Sequence, residues 1–285
     1  IAPLVPRGIH ISVSRHGHVE VANILLAAGA SSSRTNPENY TALHVAAEFG
    51  STKVVQRLIK EGASLTCVDI MGDNPLHVAS FSGKADVLAE LLGAAMPEAI
   101  HMKNRDGETP ISVAISNGHV ESVKHLLRGG GRPEPFDLYV AAFHGFHDIV
   151  QCLLDVGASA AFLTAGGTSP LAAAAQENNP DIVRALLAHE IDVVGGIASW
   201  ADALCLAAGR GHASIIQDLL DVVSGADGDL KDALATAQLF LRRQGMSPLH
   251  YATGFSNAKV VRVLLRAGAD EAAVNDAGLT PLDVI

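Results

Sequence analysis

The sequence predicts an all-α repeat solenoid built from stacked helix–turn–helix repeats, and three observations support this prediction. A short motif returns at intervals close to 33 residues along most of the chain. The copies are followed by a second segment whose apolar residues fall on one helical face. Aromatic residues make up only 4% of the chain, so the apolar content is mainly Ala, Leu, Val and Ile. This composition suits helices that pack closely through small side chains.

The recurring motif is a run of small and apolar residues, often opened by Thr-Pro or Ser-Pro and often carrying a histidine. Val45 and Val78 are 33 residues apart, and so are Pro248 and Pro281. The clear copies are TALHVAA (41–47), NPLHVAS (74–80), TPISVAI (109–115), SPLAAAA (169–175), SPLHYAT (247–253) and TPLDVI (280–285). Weaker copies are LYVAA (138–142) and LCLAA (204–208). A fixed period of this length indicates repeats that each bury their apolar face against a neighbour.

Each repeat is expected to contain a short first helix and a longer second helix. Thr41, Thr109 and Ser169 stand where N-caps are needed, and a proline after the cap fits the first helical turn. In the second helix of one repeat, the apolar face consists of Val54, Val55, Leu58 and Ile59. Glycines separate the two helices at positions where a tight turn needs a left-handed residue: Gly50, Gly118, Gly145 and Gly211.

The motif, the period and the second-helix pattern together resemble the ankyrin-repeat family from about residue 9 to residue 285. The resemblance implies a single domain, 9–285, of helix–turn–helix repeats joined by β-turn or hairpin loops. Seven full repeats are predicted, with partial repeats at both ends: 39–70, 72–104, 107–132, 136–164, 167–197, 200–243 and 245–277. Residues 1–8 contain LVPRG, which resembles a thrombin-cleavage linker, so this segment is expected to be a tag remnant.

In the ankyrin-repeat family the motif histidine hydrogen-bonds the turn backbone and ties adjacent repeats together. The resemblance assigns this structural role to His44, His77 and His250. A catalytic or metal-binding role would need converging partners, whereas the period spreads these histidines along the chain, one per repeat. The histidines of HISVSRHGH (10–18) fall on repeat or tag-adjacent positions, so no metal site is predicted there.

Composition excludes several classes of function. The formal net charge of −10 argues against nucleic acid as the main partner. The three cysteines lie far apart, which argues against a disulfide framework or a zinc site and fits a reducing compartment. No apolar run is long enough to span a membrane. With no catalytic or phosphate-binding motif present, we expect a non-enzyme without a cofactor or small-molecule substrate, located in the cytoplasm or, alternatively, the nucleus.

Candidate binding residues follow from the positions that the repeat leaves free. In the family, partners contact the hairpin tips and the two variable residues that close each first helix. Four of the eight phenylalanines fall in this slot. They either pack between neighbouring first helices or form an exposed stripe along a concave groove, flanked by acidic residues. The candidate partner-binding residues are Tyr40, Glu48, Phe49, Asp73, Phe81, Glu108, Phe143, His144 and Phe255.

One segment exceeds the repeat. The spacing from Leu206 to Tyr251 is 45 residues, and the excess lies within 224–245. Leu230, Leu234 and Leu241 fall on a helical stripe, which predicts a long or extra helix. This helix either packs on its neighbours or forms a contact with a partner or a second copy.

The sequence therefore predicts a non-catalytic interaction module that binds a partner protein or peptide along the groove and loop tips. The alternative is a regulatory or substrate-recruiting arm of a larger enzyme or channel. The last copy of the motif stops inside its first helix at Ile285, which keeps this alternative open. A repeat fold by itself does not name the partner.

Overall fold

A computed structural model describes residues 18–95, 97–189, 193–225, 233–234 and 245–284. The chain divides into an N-terminal unit, residues 1–134, and a C-terminal unit, residues 135–285. Within the described residues, secondary structure is helical apart from one isolated antiparallel bridge between Thr35 and Thr41. The predicted all-α repeat fold is therefore confirmed.

The N-terminal unit has two layers of helices. The first helices of the repeats are α2 (Ala42–Glu48), α4 (Pro75–Phe81) and α7 (Pro110–Ser116). The second helices are α1 (Val19–Ala27), α3 (Thr52–Lys60), α5 (Ala85–Ala94) and α8 (Val120–Arg128). First helices pack on first helices and second helices on second helices. A further short helix, α6 (Pro97–His101), follows α5 and accommodates the longer spacing of 35 residues between Val78 and Val113.

The C-terminal unit repeats this two-layer arrangement. Its first helices are α9 (Pro135–His144), α11 (Pro170–Gln176), α13 (Val193–Arg210) and α15 (Pro248–Gly254), followed by a 3-10 helix (Pro281–Val284). Its second helices are α10 (His147–Asp155), α12 (Pro180–His189), α14 (Ala213–Gly225) and α16 (Ala258–Arg266). Helices of each layer again contact the next member of the same layer.

The predicted caps and turns are present. Thr41, Thr109 and Ser169 each accept a hydrogen bond from the backbone N–H three residues later, as N-caps do. The turn between α2 and α3 is made by Gly50, whose φ of 75° is the left-handed conformation that glycine adopts without strain. Val54, Val55 and Leu58 of α3 are fully buried, so its apolar face is the one that packs.

Helix α13 differs from the sequence-based expectation. It begins at Val193 and runs to Arg210, across the repeat boundary that the sequence places between 197 and 200. This copy of the motif lacks the Thr-Pro or Ser-Pro that would cap a new helix. Trp200 is buried and its indole N–H donates to the carbonyl oxygen of Leu219 at 2.8 Å, which holds α13 against α14.

The predicted insertion helix and the tag remnant lie mainly outside the described residues. Of the four stripe positions in 224–245, only Leu234 is described, and its side chain is buried. Residues 1–8, His10 and His16 are likewise not among the described positions.

A buried histidine joins consecutive repeats. The Nδ1 atom of His44 accepts a hydrogen bond from the backbone N–H of Thr41 at 3.2 Å. Its Nε2 lies 3.1 Å from the carbonyl oxygen of Asp73, in the next repeat. A backbone N–H only donates and a carbonyl oxygen only accepts, so the proton must sit on Nε2 and the ring must be neutral. We call this bridge the histidine clamp.

The histidine clamp recurs with the same geometry in both units. His77 accepts from the N–H of Asn74 at 3.2 Å and lies 3.1 Å from the carbonyl oxygen of Glu108. In the C-terminal unit, His250 accepts from the N–H of Ser247 at 3.1 Å and lies 2.9 Å from the carbonyl oxygen of Leu279. In each case the carbonyl belongs to the residue just before the next N-cap. The clamp therefore fixes the spacing between successive first helices.

Other residues at the histidine position make shorter contacts. The thiol of Cys205 lies 3.9 Å from the carbonyl oxygen of Met246, which again precedes an N-cap. The hydroxyl of Ser112 reaches only Thr109 of its own helix, at 3.0 Å. The full bridge therefore needs the length and the two nitrogens of an imidazole.

A second set of side chains links the layers behind the turn glycines. The Nε2 atom of His119 lies 2.9 Å from the carbonyl oxygen of Phe81, at the end of the preceding first helix. His212 makes the same contact with Gln176 at 3.1 Å. Asparagines at the same position, Asn179 and Asn257, donate to Ala142 and Ala208. Both rows of contacts satisfy carbonyl groups that helix ends leave without a helical partner.

Removing one clamp should destabilise the protein measurably. His77→Ala leaves the Asn74 N–H and the Glu108 carbonyl without their buried partner, so we expect a loss of about 1 to 3 kcal/mol in the free energy of unfolding. Urea denaturation followed by circular dichroism measures this loss. The matched control is His101→Ala, at an exposed histidine of the same unit; equal effects of the two substitutions would contradict the clamp's role.

Acidification should weaken the same contacts. Burial lowers the pKa of His44 and His77 below 6.5, and hydrogen bonds to the Asp73 and Glu108 carbonyls offset only part of that effect. The unfolded chain therefore binds protons more readily than the folded chain, and stability should fall as the pH drops below about 6.5. Urea midpoints across this range measure the slope. The double variant His44→Gln/His77→Gln should flatten it, whereas His101→Gln should not.

Candidate functional site

The N-terminal unit contains a cleft at the tips of its first two complete repeats. Its volume is about 440 Å³, which lies within the range of ordinary ligand sites. Acidic, aromatic and aliphatic side chains contribute to its walls. The lining residues include three of the predicted site residues, namely Tyr40, Glu48 and Phe49. We call this feature the tip cleft.

Two hydrogen-bonded turns form the walls of the tip cleft. In the first turn, the side-chain oxygen of Asn36 accepts from the backbone N–H of Glu38 and Tyr40 at 3.1 and 2.8 Å. In the second, a carboxylate oxygen of Asp69 accepts from the N–H of Met71 and Asp73 at 2.7 and 2.9 Å. Such side-chain-to-backbone bonds are typical of Asx turns. They hold the tips in one conformation.

A backbone hydrogen bond joins the two turns. The N–H of Ile70 donates to the carbonyl oxygen of Glu38 at 3.1 Å. The same connection recurs one repeat later, where the N–H of Arg105 donates to the carbonyl oxygen of Met71 at 2.9 Å. Together with the histidine clamp of His44 beneath it, this bond makes the tip cleft a preformed surface.

The electrostatic environment of the tip cleft is negative. Burial raises the pKa of Tyr40 to about 12, and the nearby carboxylates of Asp69, Glu48 and Asp73 add to the increase. A phenolate would be repelled by these three carboxylates, so the phenol keeps its proton. Tyr40 is thus a neutral ring and hydroxyl surrounded by acidic side chains.

The predicted aromatic residues of the N-terminal unit are exposed. Phe49 closes α2 with 39% of its surface accessible, and Phe81 ends α4 with 65% accessible. Of the two arrangements considered for these side chains, packing between neighbouring first helices therefore does not apply to Phe81. Phe81 does not line the tip cleft, so it lies on the surface beyond it.

The acidic candidates are held by neighbouring repeats. A carboxylate oxygen of Asp73 accepts from the side-chain N–H of Asn104 at 2.9 Å. One oxygen of Glu108 lies 3.4 Å from the hydroxyl of Ser116, which closes α7. Both acidic residues precede or form the start of a first helix, as Tyr40 does. Negative charge therefore continues along the tips of this unit.

The C-terminal unit carries the remaining candidates. Phe143 is half-buried and stacks on Tyr139, with ring centroids 6.1 Å apart, and its edge faces His144 at 5.3 Å. Phe136 extends this stack from the other side of Tyr139, at 5.3 Å. Phe255 is 66% exposed at the end of α15. Phe143 thus packs within a local aromatic cluster, while Phe255 faces solvent.

Sequence reasoning missed part of each site. It did not include the tip residues Ile70 and Met71, although the MGDN turn that follows them was visible as a break in the helical pattern. It also omitted Phe136 and Tyr139, because this copy lacks the Thr-Pro start and its helix phase was harder to place. Their side chains meet Phe143 only because α9 begins at Pro135.

No group of His, Cys, Asp and Glu side chains in the described part of the chain has the arrangement to hold a metal ion. Among the same described residues, no helix combines the length and the apolar character needed to cross a membrane.

Comparison with protein-family profiles gives matches over most of the chain. A profile described as "Ankyrin repeats (3 copies)" matches residues 9–99, 135–197 and 204–284. A profile described as "Ankyrin repeat" matches residues 106–135. The matched ranges include the tip cleft and all three histidine clamps.

Similar proteins come from distant organisms. The chain is 28% identical over 81% of its length to the ankyrin repeat protein nuc-2 of Neurospora crassa. It is 32% identical over 63% of its length to a Caenorhabditis elegans homologue of transient receptor potential cation channel subfamily A member 1. It is 27% identical over 82% to the mouse B-cell lymphoma 3 protein homologue. These matches span 21%, 15% and 47% of the relatives' own lengths, so the chain corresponds to less than half of each.

The charge environment of Tyr40 can be measured directly. Glu48→Gln removes one of the carboxylates that raise the pKa of Tyr40, so we expect that pKa to fall below its wild-type value of about 12. Ultraviolet absorption of the phenolate gives the midpoint, taken as the difference between each protein and its Tyr40→Phe counterpart while circular dichroism shows an intact fold. The control Glu20→Gln should leave the midpoint unchanged. An unchanged midpoint in Glu48→Gln would contradict the negative cleft.

Proposed function

This chain belongs to the ankyrin-repeat family, and we propose that it is a non-catalytic interaction module that binds a segment of a partner protein. The binding surface in this proposal comprises the first-helix ends and tips of the N-terminal unit: Tyr40, Glu48, Phe49, Asp73, Phe81 and Glu108. Phe143, His144 and Phe255 are proposed as further contacts of the C-terminal unit. No nucleic acid, membrane or small-molecule substrate is part of this function.

The exposure of Phe49 and Phe81 carries the proposal. Phenylalanine is usually buried, because leaving its ring in water costs free energy. Two such rings end consecutive first helices on a surface that also holds the tip cleft. Aromatic side chains in this setting are the usual anchors of protein interfaces. The surface is therefore suited to a partner segment with apolar side chains.

Rigidity supports the same function. The clamps of His44 and His77 fix the first helices, and the Asx turns at Asn36 and Asp69 fix the tips. A surface that is already ordered loses little conformational entropy when a partner binds. Binding energy from the aromatic anchors is then available for affinity.

An alternative is that the module is the regulatory or recruiting arm of a larger enzyme or channel. The observation that favours it is the small share of each relative that the chain matches, including 15% of a cation channel homologue. In both versions the module itself binds and does not catalyse. The complete reading frame separates them, because the arm requires an enzyme or channel domain in the same polypeptide.

The surface is tested by removing its two anchors. A partner retrieved by affinity capture is purified, and its affinity is measured by calorimetry against wild type, Phe49→Ala and Phe81→Ala. We expect each substitution to weaken binding about ten-fold, as truncation of an aromatic anchor typically does. Ile24→Ala, at an exposed apolar residue of α1, is the matched control. Unchanged affinity of both variants, with the fold intact, would rule out this surface.

A further inference from the structure

We propose that the tip cleft binds the side chain of an arginine or lysine presented by the partner segment. This inference rests on the proposed function, because it identifies one anchor of the same interaction. It adds a charged anchor of defined chemistry to the apolar anchors already described. Three properties of the tip cleft support it: its charge, its aromatic and aliphatic walls, and its fixed shape.

The charge of the tip cleft favours a cation. Glu38, Glu48 and Asp69 line it, and Asp73 lies close enough to influence Tyr40. No lysine or arginine is among the lining residues. A basic side chain would find several carboxylates within one small volume, whereas an acidic or phosphorylated segment would be repelled.

The walls suit the remainder of a basic side chain. Lysine and arginine combine a charged end with an aliphatic stem that packs on apolar surface. Ile70 and Met71 are 43% and 48% exposed at the rim, and Val45 lies at the base. The rings of Tyr40 and Phe49 also line the cleft, and aromatic faces attract ammonium and guanidinium groups. An uncharged aliphatic side chain would use only part of these contacts.

The equivalent position in the next repeat lacks this combination. The inter-tip hydrogen bonds pair Ile70 with Glu38 and Arg105 with Met71, so Arg105 occupies the place of Ile70 and Met71 the place of Glu38. One period of 33 residues also puts Asp73 where Tyr40 stands. The chain's own arginine thus supplies the cation there. The acidic, aromatic cleft belongs to one repeat, which gives the partner a defined register.

The first experiment uses single-residue probes. Isotope-labelled protein is titrated with arginine and with lysine, each blocked as the N-acetyl methylamide, and with the citrulline analogue, which has nearly the shape of arginine without its charge. We expect the amide resonances of Ile70 and Met71 to shift with the two basic probes and not with citrulline. Equal shifts with citrulline, or no shift with either basic probe, would overturn the inference.

Variants then locate the charge. Glu48→Gln should weaken binding of the arginine probe about five-fold, the effect of losing one exposed ion pair of about 1 kcal/mol. Added salt should weaken binding further. Glu20→Gln, at an exposed acid of α1, is the control and should bind as wild type does. Binding that is insensitive to Glu48→Gln would place the cation elsewhere.

A peptide probe identifies the occupant as part of a chain. A blocked Leu-Ser-Arg-Ser-Leu peptide should bind more tightly than blocked arginine, because its flanking residues add contacts outside the cleft. Equal affinities would contradict a peptide occupant. This series is independent of the partner measurements with Phe49→Ala and Phe81→Ala. If the cleft fails to bind basic probes while those variants lose partner affinity, the inference falls and the proposed function stands.

Discussion

The arrangement of the repeats depends on one interaction, the neutral imidazole that bridges consecutive first helices. His44, His77 and His250 each accept from the N–H of their own N-cap and donate to a carbonyl of the next repeat. A short helix of seven residues has few internal hydrogen bonds and many unsatisfied groups at its ends. The clamp satisfies one group on each side, so it stabilises the helix and sets its distance to the next one together.

The candidate site depends on the same clamp. The Asp73 carbonyl that His44 holds belongs to the turn that forms one wall of the tip cleft. Fixing this turn places Ile70 beside Glu38 and surrounds Tyr40 with carboxylates. Structure and recognition are thus separated within one short motif. Its buried histidine maintains the stack, while the residues that follow and precede it, which no packing constraint selects, form the surface.

Much of the fold was predictable because repetition makes a weak local pattern strong. Thr41 and Thr109 were identified as N-caps and Gly50 as a turn residue from their recurrence alone, and all three predictions are confirmed. The prediction was less accurate where the repetition fails. Helix α13 starts at Val193, because that copy has no cap residue to stop the preceding turn from becoming helical.

By itself, the sequence determined the fold class, the first-helix ends at which aromatic and acidic residues collect, and the absence of recognisable catalytic motifs. The tertiary structure decided which of those residues meet. Tyr40, Glu48 and Phe49 share a cleft with Asp69 and Ile70, whereas Phe143 stacks on Tyr139. Periodicity specifies the position of a residue within its repeat. The contacts of its side chain depend on the neighbouring repeat's turn, which lies about 30 residues away in sequence and is brought near only by stacking.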